Sequence, residues 1–148
     1  MNLTKNNGRE FVDFIRMSEK DMVNYLPLAG SFAVIKCEGK YLMCYNVWRE
    51  QWELPAGRRE GRETPKECAI RELFEETGQM VSDLTFKGLL KSQKAISGEF
   101  KFNPVYFSEM KKLQPFIENG ETSEIRLWDL KEKLGYFDSV DIRIFDYI

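Results

Sequence analysis

Glu72, Glu75 and Glu76 are the residues of this 148-residue chain whose type and spacing point most directly to chemistry. At about 100° per residue, a helix places them within an arc of about 100°. Ala69, Ile70, Leu73 and Phe74 then form an apolar stripe roughly opposite. Three carboxylates within one turn repel by a few tenths of a kcal/mol per pair, and Arg71 is the nearest base. A cation at the site relieves that repulsion. Carboxylate oxygens without imidazole or thiolate suit a hard ion such as Mg²⁺ or Mn²⁺. Mg²⁺ commonly takes one or two protein carboxylates and completes its shell with water and substrate phosphates, so the expected substrate is a phosphate ester or anhydride. The competing reading is a solvated acidic face with Arg71 paired to Glu75 at i,i+4.

Composition narrows the chemistry further. The chain has no histidine, which removes Ser-His-Asp and Cys-His catalysis and His-ligated zinc. Proton transfer therefore falls to carboxylate, Lys, Tyr or Cys. Cys37, Cys44 and Cys68 are odd in number and lack zinc-site spacing, so they are expected as buried free thiols. With 22 Lys+Arg against 24 Asp+Glu, the net charge of −2 gives no reason to expect a nucleic-acid or membrane partner. The first sixteen residues lack the apolar core of a secretory signal, and no run is long and apolar enough to span a bilayer. A single domain over residues 1–148 and a cytoplasmic location are expected.

The elements that must position these carboxylates are legible in the pattern. Phe11 to Met17 reads as a first strand and Glu19 to Tyr25 as a short helix stopped by Pro27. Ser31 to Cys37 and Tyr41 to Asn46 form a hairpin about Gly39, and Gln51 to Leu54 a short strand ended by Pro55. Ala56 to Glu63 is expected as a loop. Thr64 is an N-cap, Pro65 the first helical residue, and Glu67 completes a capping box; Gly78 ends the helix. Leu84 to Lys94 and Glu99 to Met110 make a long hairpin. Glu124 to Leu130 is a strand and Lys131 to Gly135 starts a short helix. The sum is an α/β fold, a mixed sheet with the acidic helix packed on it.

The stretch from Gly57 through Glu63 to Arg71-Glu72-Leu73-Phe74-Glu75-Glu76-Thr77-Gly78-Gln79 resembles the Nudix hydrolase signature, G-x₅-E-x₇-R-E-U-x-E-E-x-G-U, with U a bulky aliphatic. Its seven fixed polar and glycine positions recur by chance in a chain of this composition with a probability of about 10⁻⁵. Gln79 departs from the last U, and Met80 is expected to fill that apolar slot. Trp52-Glu53-Leu54-Pro55-Ala56-Gly57 resembles the strand that enters the family's loop.

The resemblance implies a Nudix-type α/β/α sandwich of the MutT-like kind. It also implies Mg²⁺-dependent cleavage of a nucleoside diphosphate linked to some group X. Glu75 and Glu76 become metal ligands together with a backbone carbonyl of Ala56 or Gly57. Glu72 becomes a further ligand or the general base, Arg71 orients Glu75 or Glu76, and Glu63 braces the loop. For the substrate, a (d)NTP, including an oxidised one, is favoured over ADP-ribose or a nucleotide sugar; a non-catalytic nucleotide sensor is the alternative of another class. Arg58, Trp52, Tyr106 and Glu121 are the candidate substrate contacts, with Trp48, Phe107 and Glu124 weighed beside them. A small-molecule nucleotide is the expected partner, and a homodimer is left open.

Overall fold

The computed structural model describes residues 2–4 and 8–148. Met1 and residues 5–7, part of the stretch read as lacking a leader, lie outside the described residues. The strands are β1 (Asn2–Thr4), β2 (Arg9–Ile15), β3 (Ser31–Cys37), β4 (Lys40–Asn46), β5 (Gln51–Glu53), β6 (Ala56–Gly57), β7 (Thr85–Lys94), β8 (Phe100–Met110), β9 (Thr122–Trp128) and β10 (Tyr136–Asp138), with one α-helix, α1 (Pro65–Thr77). They form one mixed sheet in the order β1-β10-β5-β4-β3-β8-β7-β2, with β6 paired to β3 and β9 to β4. The α/β reading of the sequence holds.

β3 is the axis of the molecule. Its run Ser-Phe-Ala-Val-Ile-Lys-Cys is apolar at successive positions rather than alternating, as a strand covered on both faces requires. Ala33 and Ile35 pack with Ala69 and Leu73 of α1 and with Leu42 and Tyr106. Phe32 and Val34 point the other way, into a larger core with Trp52, Leu54, Trp128, Phe137 and Ile144. A 3₁₀ turn, Asp141–Asp146, covers that second face where the sandwich expectation places a helix.

α1 forms as the sequence dictates at both ends. The Thr64 hydroxyl accepts from the Glu67 N–H at 3.1 Å, and the Glu67 carboxylate accepts from the Thr64 N–H at 2.9 Å. Gly78 terminates it at φ +82°, a left-handed position that glycine adopts without strain, and its N–H donates to Phe74 O at 2.8 Å.

Four expectations are corrected. Glu19–Tyr25 is a 3₁₀ rather than an α-helical segment. Lys131 to Gly135 is not helical; Asp129 caps Lys131 and Glu132 through their N–H groups, and the chain bends into β10. Ala56–Gly57, expected within a loop, is a short strand on β3. Met80 does not fill the last apolar slot after the helix. It is 60% exposed, and Gln79 itself is buried. The Gln79 amide donates to Gln114 O at 2.8 Å and accepts from Gln114 N at 2.7 Å, so a polar side chain is satisfied where an apolar one was expected.

Candidate active site

Arg71 organises the acidic face of α1. Its Nε and Nη2 donate to the two oxygens of Glu63 at 2.6 and 3.0 Å, a bidentate pair. Nη1 donates to Glu72 at 2.8 Å and to Glu75 at 2.9 Å, and Nη2 also reaches Arg58 O at 2.8 Å. Glu63 closes its own loop by accepting from the Glu60 N–H at 2.8 Å. The Arg71 guanidinium holds the Glu63 carboxyl below its ordinary range. One cation thus ties loop to helix and touches Glu72 and Glu75, while Glu76 takes its hydrogen bond from the strand instead. Of the two orientations expected for Arg71, the structure brings together the one with Glu75.

Glu76 lies on the opposite side of that array, only 5% exposed. Among the described residues its one hydrogen-bond donor is the Ala56 N–H, at 2.9 Å. Burial pushes its carboxyl up to about 9, opposed by that hydrogen bond and reinforced by the nearby charges of Glu121, Glu72 and Glu53. Burial also raises Glu72, against the pull of Arg71. A Cβ added to Gly57 would collide with the Glu72 carboxylate, so this glycine permits the close approach of helix and strand. The Gly57 carbonyl accepts from the Cys68 thiol at 3.1 Å. Cys37, Cys44 and Cys68 are all free and buried, as expected.

Do these residues fit a divalent cation? Among the described residues no three acidic, thiol or imidazole side chains converge on one point as a closed metal cage. Glu75 is turned outward on Arg71, its side chain half exposed. What remains is Glu76, a buried carboxylate with no cationic partner among the described residues, close to Glu72 and to the Ala56–Gly57 strand. That set fits Mg²⁺, which needs few protein ligands and keeps substrate and water oxygens.

A cleft of about 1300 Å³ opens beside this set. Ala56, Gly57, Arg58 and Glu72 line it on the helix side. Glu121 also lines it, accepting from Asn46 Nδ2 at 3.0 Å and facing Arg49 Nη2 at 3.4 Å. Glu124 turns away to Arg126 at 2.8 Å. Two expected aromatic contacts are corrected. Trp52 is 4% exposed and sits in the core, stacked edge-on against Tyr45 with its indole N–H on Leu134 O at 3.1 Å. Tyr106 is buried on the α1 side and donates to Glu19 at 2.8 Å. Phe107 likewise packs on the core. The indole that does line the cleft is Trp48, 70% exposed.

The cleft also contains polar residues that the sequence pattern did not single out. Glu53 accepts from Arg49 Nε and Nη2 at 2.7 and 3.0 Å and from Gln51 at 2.6 Å. Gln51 also bonds Asp138 at 3.0 Å, and Asp141 accepts from the Leu54 N–H at 3.1 Å. Asp141 is buried, and burial raises its carboxyl well above the ordinary range, with the Asp138 charge adding to the effect. Nothing in the sequence set Asp138 and Asp141 apart from Ser139, Arg143 and Asp146 in the same C-terminal run.

The chain belongs to the NUDIX domain family, whose pattern matches residues 27–146. Membership makes it a hydrolase of phosphoric anhydride bonds. It is 29% identical over 133 residues to the Bacillus subtilis (strain 168) protein named "Putative 8-oxo-dGTP diphosphatase YtkD", a match covering 85% of this chain and 81% of that one. It is 35% identical over 71 residues to the RNA pyrophosphohydrolase of Hydrogenovibrio crunogenus, covering 48% of this chain and 42% of the relative. The fold matches the crystal structure of a MutT NUDIX hydrolase from Burkholderia pseudomallei at a TM-score of 0.68 and 20% identity, covering 80% of this chain and 95% of that one.

Proposed function

We propose that this protein, as one domain over residues 1–148, is a Mg²⁺-dependent, or Mn²⁺-dependent, pyrophosphohydrolase of nucleoside triphosphates, with oxidised deoxynucleotides among its substrates. The observation that carries the reading is Glu76, a buried carboxylate with no cationic partner among the described residues, set one strand from a cleft large enough for a nucleotide. The name of the Bacillus subtilis relative supports the choice of substrate.

Glu76 and the Ala56 carbonyl are the residues that would hold the cation, and of the two roles open to Glu72 the base is preferred to the further ligand. Ala56 is preferred over Gly57 because the Gly57 carbonyl already accepts the Cys68 thiol. The bound ion would neutralise the diphosphate and make water a better nucleophile. Glu72 accepts the proton of the attacking water; burial raises its carboxyl toward the range in which a general base works best near neutrality. Arg71 fixes Glu72 through a 2.8 Å hydrogen bond, and Glu63 fixes Arg71. Arg58 lines the cleft as a phosphate contact and Glu121 as a further carboxylate on its wall.

The test is turnover, followed by chromatography, across dNTPs, 8-oxo-dGTP, ADP-ribose and nucleotide sugars, with and without EDTA. Cleavage of triphosphates to monophosphate and pyrophosphate, abolished by EDTA, is expected. Full activity in excess EDTA overturns the metal assignment, and tight binding of one nucleotide without turnover of any overturns the enzymatic one.

A further inference from the structure

Part of the cleft wall carries two cations, Arg9 and Lys101, that the chemistry above leaves unused. Arg9 opens β2 and Lys101 lies on β8. Across the sheet Phe11 stands beside Ser92, and Ser92 beside Lys101. Arg9 lies two residues from Phe11, so strand alternation places it on the same face as Lys101. Both line the cleft, and so does Asn103, which is anchored to Gly30 O at 2.7 Å. Arg58 lines it too, directly after the strand that bears Ala56. Lys101 is half-buried, and its ammonium is held below the ordinary lysine range by that burial and then by the charges of Arg9 and Arg58. The three cations are therefore electrostatic neighbours.

Among the described residues no carboxylate lies within ion-pair distance of Arg9, Arg58 or Lys101; the Asp141 and Asp138 charges act on Lys101 only from farther off, more weakly than the two arginines. Glu99, the acid beside them on the cleft, is exposed and pairs with none of the three. Arg9 Nη1 is buried with no hydrogen-bond partner among the described residues. Leaving a guanidinium N–H dry and unpaired costs more than leaving a neutral donor so, and like cations held together add to that cost. An anionic ligand removes both penalties at once.

We infer that Arg9 and Lys101, with Arg58, form a subsite for the terminal phosphate of the substrate, so that the cleft selects a free phosphate monoester end over a diphosphate capped by a sugar. The inference rests on the nucleotide-hydrolase reading and names the class of X. A terminal phosphate brings up to two charges and three strong acceptor oxygens to the three cations. A sugar at the same place offers only neutral hydroxyls. The cations then stay unpaired in a half-buried wall, and this penalty on the wrong substrate discriminates as strongly as the ion pairs made with the right one.

The test compares binding of α,β-methylene ATP, which ends in a free phosphate, with that of α,β-methylene ADP-ribose, a diphosphate capped by a sugar, titrated calorimetrically with Mg²⁺. The wild-type protein is expected to bind the triphosphate at least about tenfold more tightly than the capped diphosphate. Lys101→Gln reduces that preference about threefold, the double variant Arg9→Gln/Lys101→Gln abolishes it, and Lys101→Arg retains it. A double variant that still prefers the triphosphate as the wild type does overturns the inference while leaving the hydrolase reading intact. A wild-type protein that binds neither analogue and turns over no nucleotide overturns both.

Discussion

The backbone N–H of Ala56 donates to the Glu76 carboxylate at 2.9 Å, and this bond joins the strand entering the signature to the last turn of its helix. It is the one donor among the described residues to a carboxylate that burial has pushed up to about 9. The unfolded group titrates near 4.5, so between those values the folded, metal-free protein holds more protons than the unfolded chain. Its stability therefore falls as pH climbs through that window.

Glu76→Gln removes the titrating group and keeps an oxygen for the Ala56 N–H. The variant is expected to melt at or above the wild-type temperature at pH 8 without metal, while losing turnover by at least about 10²-fold. Glu72→Gln is expected to lose turnover by a similar factor, at least about 10²-fold, with its fold intact. Thermal melts beside kcat measurements check both, and a Glu76→Gln protein that melts well below wild type contradicts the burial argument.

Because Glu76 is mostly protonated below pH 9 in the metal-free protein, a cation can bind it only by displacing that proton. Titration with Mn²⁺ at pH 7.5 is expected to release about one proton per ion, and apparent affinity should rise nearly tenfold per pH unit until about pH 9. Calorimetry in buffers of different ionisation enthalpy measures the number directly. Binding heats that do not depend on the buffer would place the cation elsewhere.

Much of the site was visible in the sequence because helix geometry is local. The capping box, the glycine cap and the spacing of Glu72, Glu75 and Glu76 follow from residues at most four apart, and Arg71 to Glu63 from the signature. The cleft was not visible in the same way. Arg9, Lys101, Asp138 and Asp141 meet only through strand pairings between distant segments, and periodicity does not encode which strands become neighbours. The same limit explains why Trp52 and Tyr106 were expected in the cleft. An isolated Trp or Tyr on a β-rich run looks alike whether it faces core or cleft, and a shift of one residue decides.

Arg71 hydrogen-bonds three carboxylates and lies 3.6 Å from a fourth, that of Glu60, so its loss should be felt well beyond its own position. Arg71→Ala leaves Glu63 and Glu72, whose side chains are mostly shielded, without their shared donor. A destabilisation of about 1–3 kcal/mol is expected, reduced from the fully buried case because Arg71 and Glu75 retain solvent access. Arg71→Lys should recover only part of it, since an ammonium cannot reproduce the bidentate contact with Glu63. Urea denaturation of the two variants distinguishes these outcomes; equal stabilities for Lys and Ala would show that the fork geometry is unimportant.

Trp48 and Trp52, four residues apart, should behave oppositely. Trp52 is buried between Tyr45 and the C-terminal segment, with its N–H on Leu134 O, so Trp52→Ala is expected to cost about 3–5 kcal/mol. Trp48 stands in the cleft wall with most of its ring in solvent. Trp48→Ala should leave the melting temperature within a degree or two while raising KM several-fold, because the nucleotide loses an apolar surface to rest on. Measuring Tm and KM for the pair separates core from cleft. A Trp48→Ala protein with wild-type KM for every nucleotide cleaved would place the base against another part of the wall.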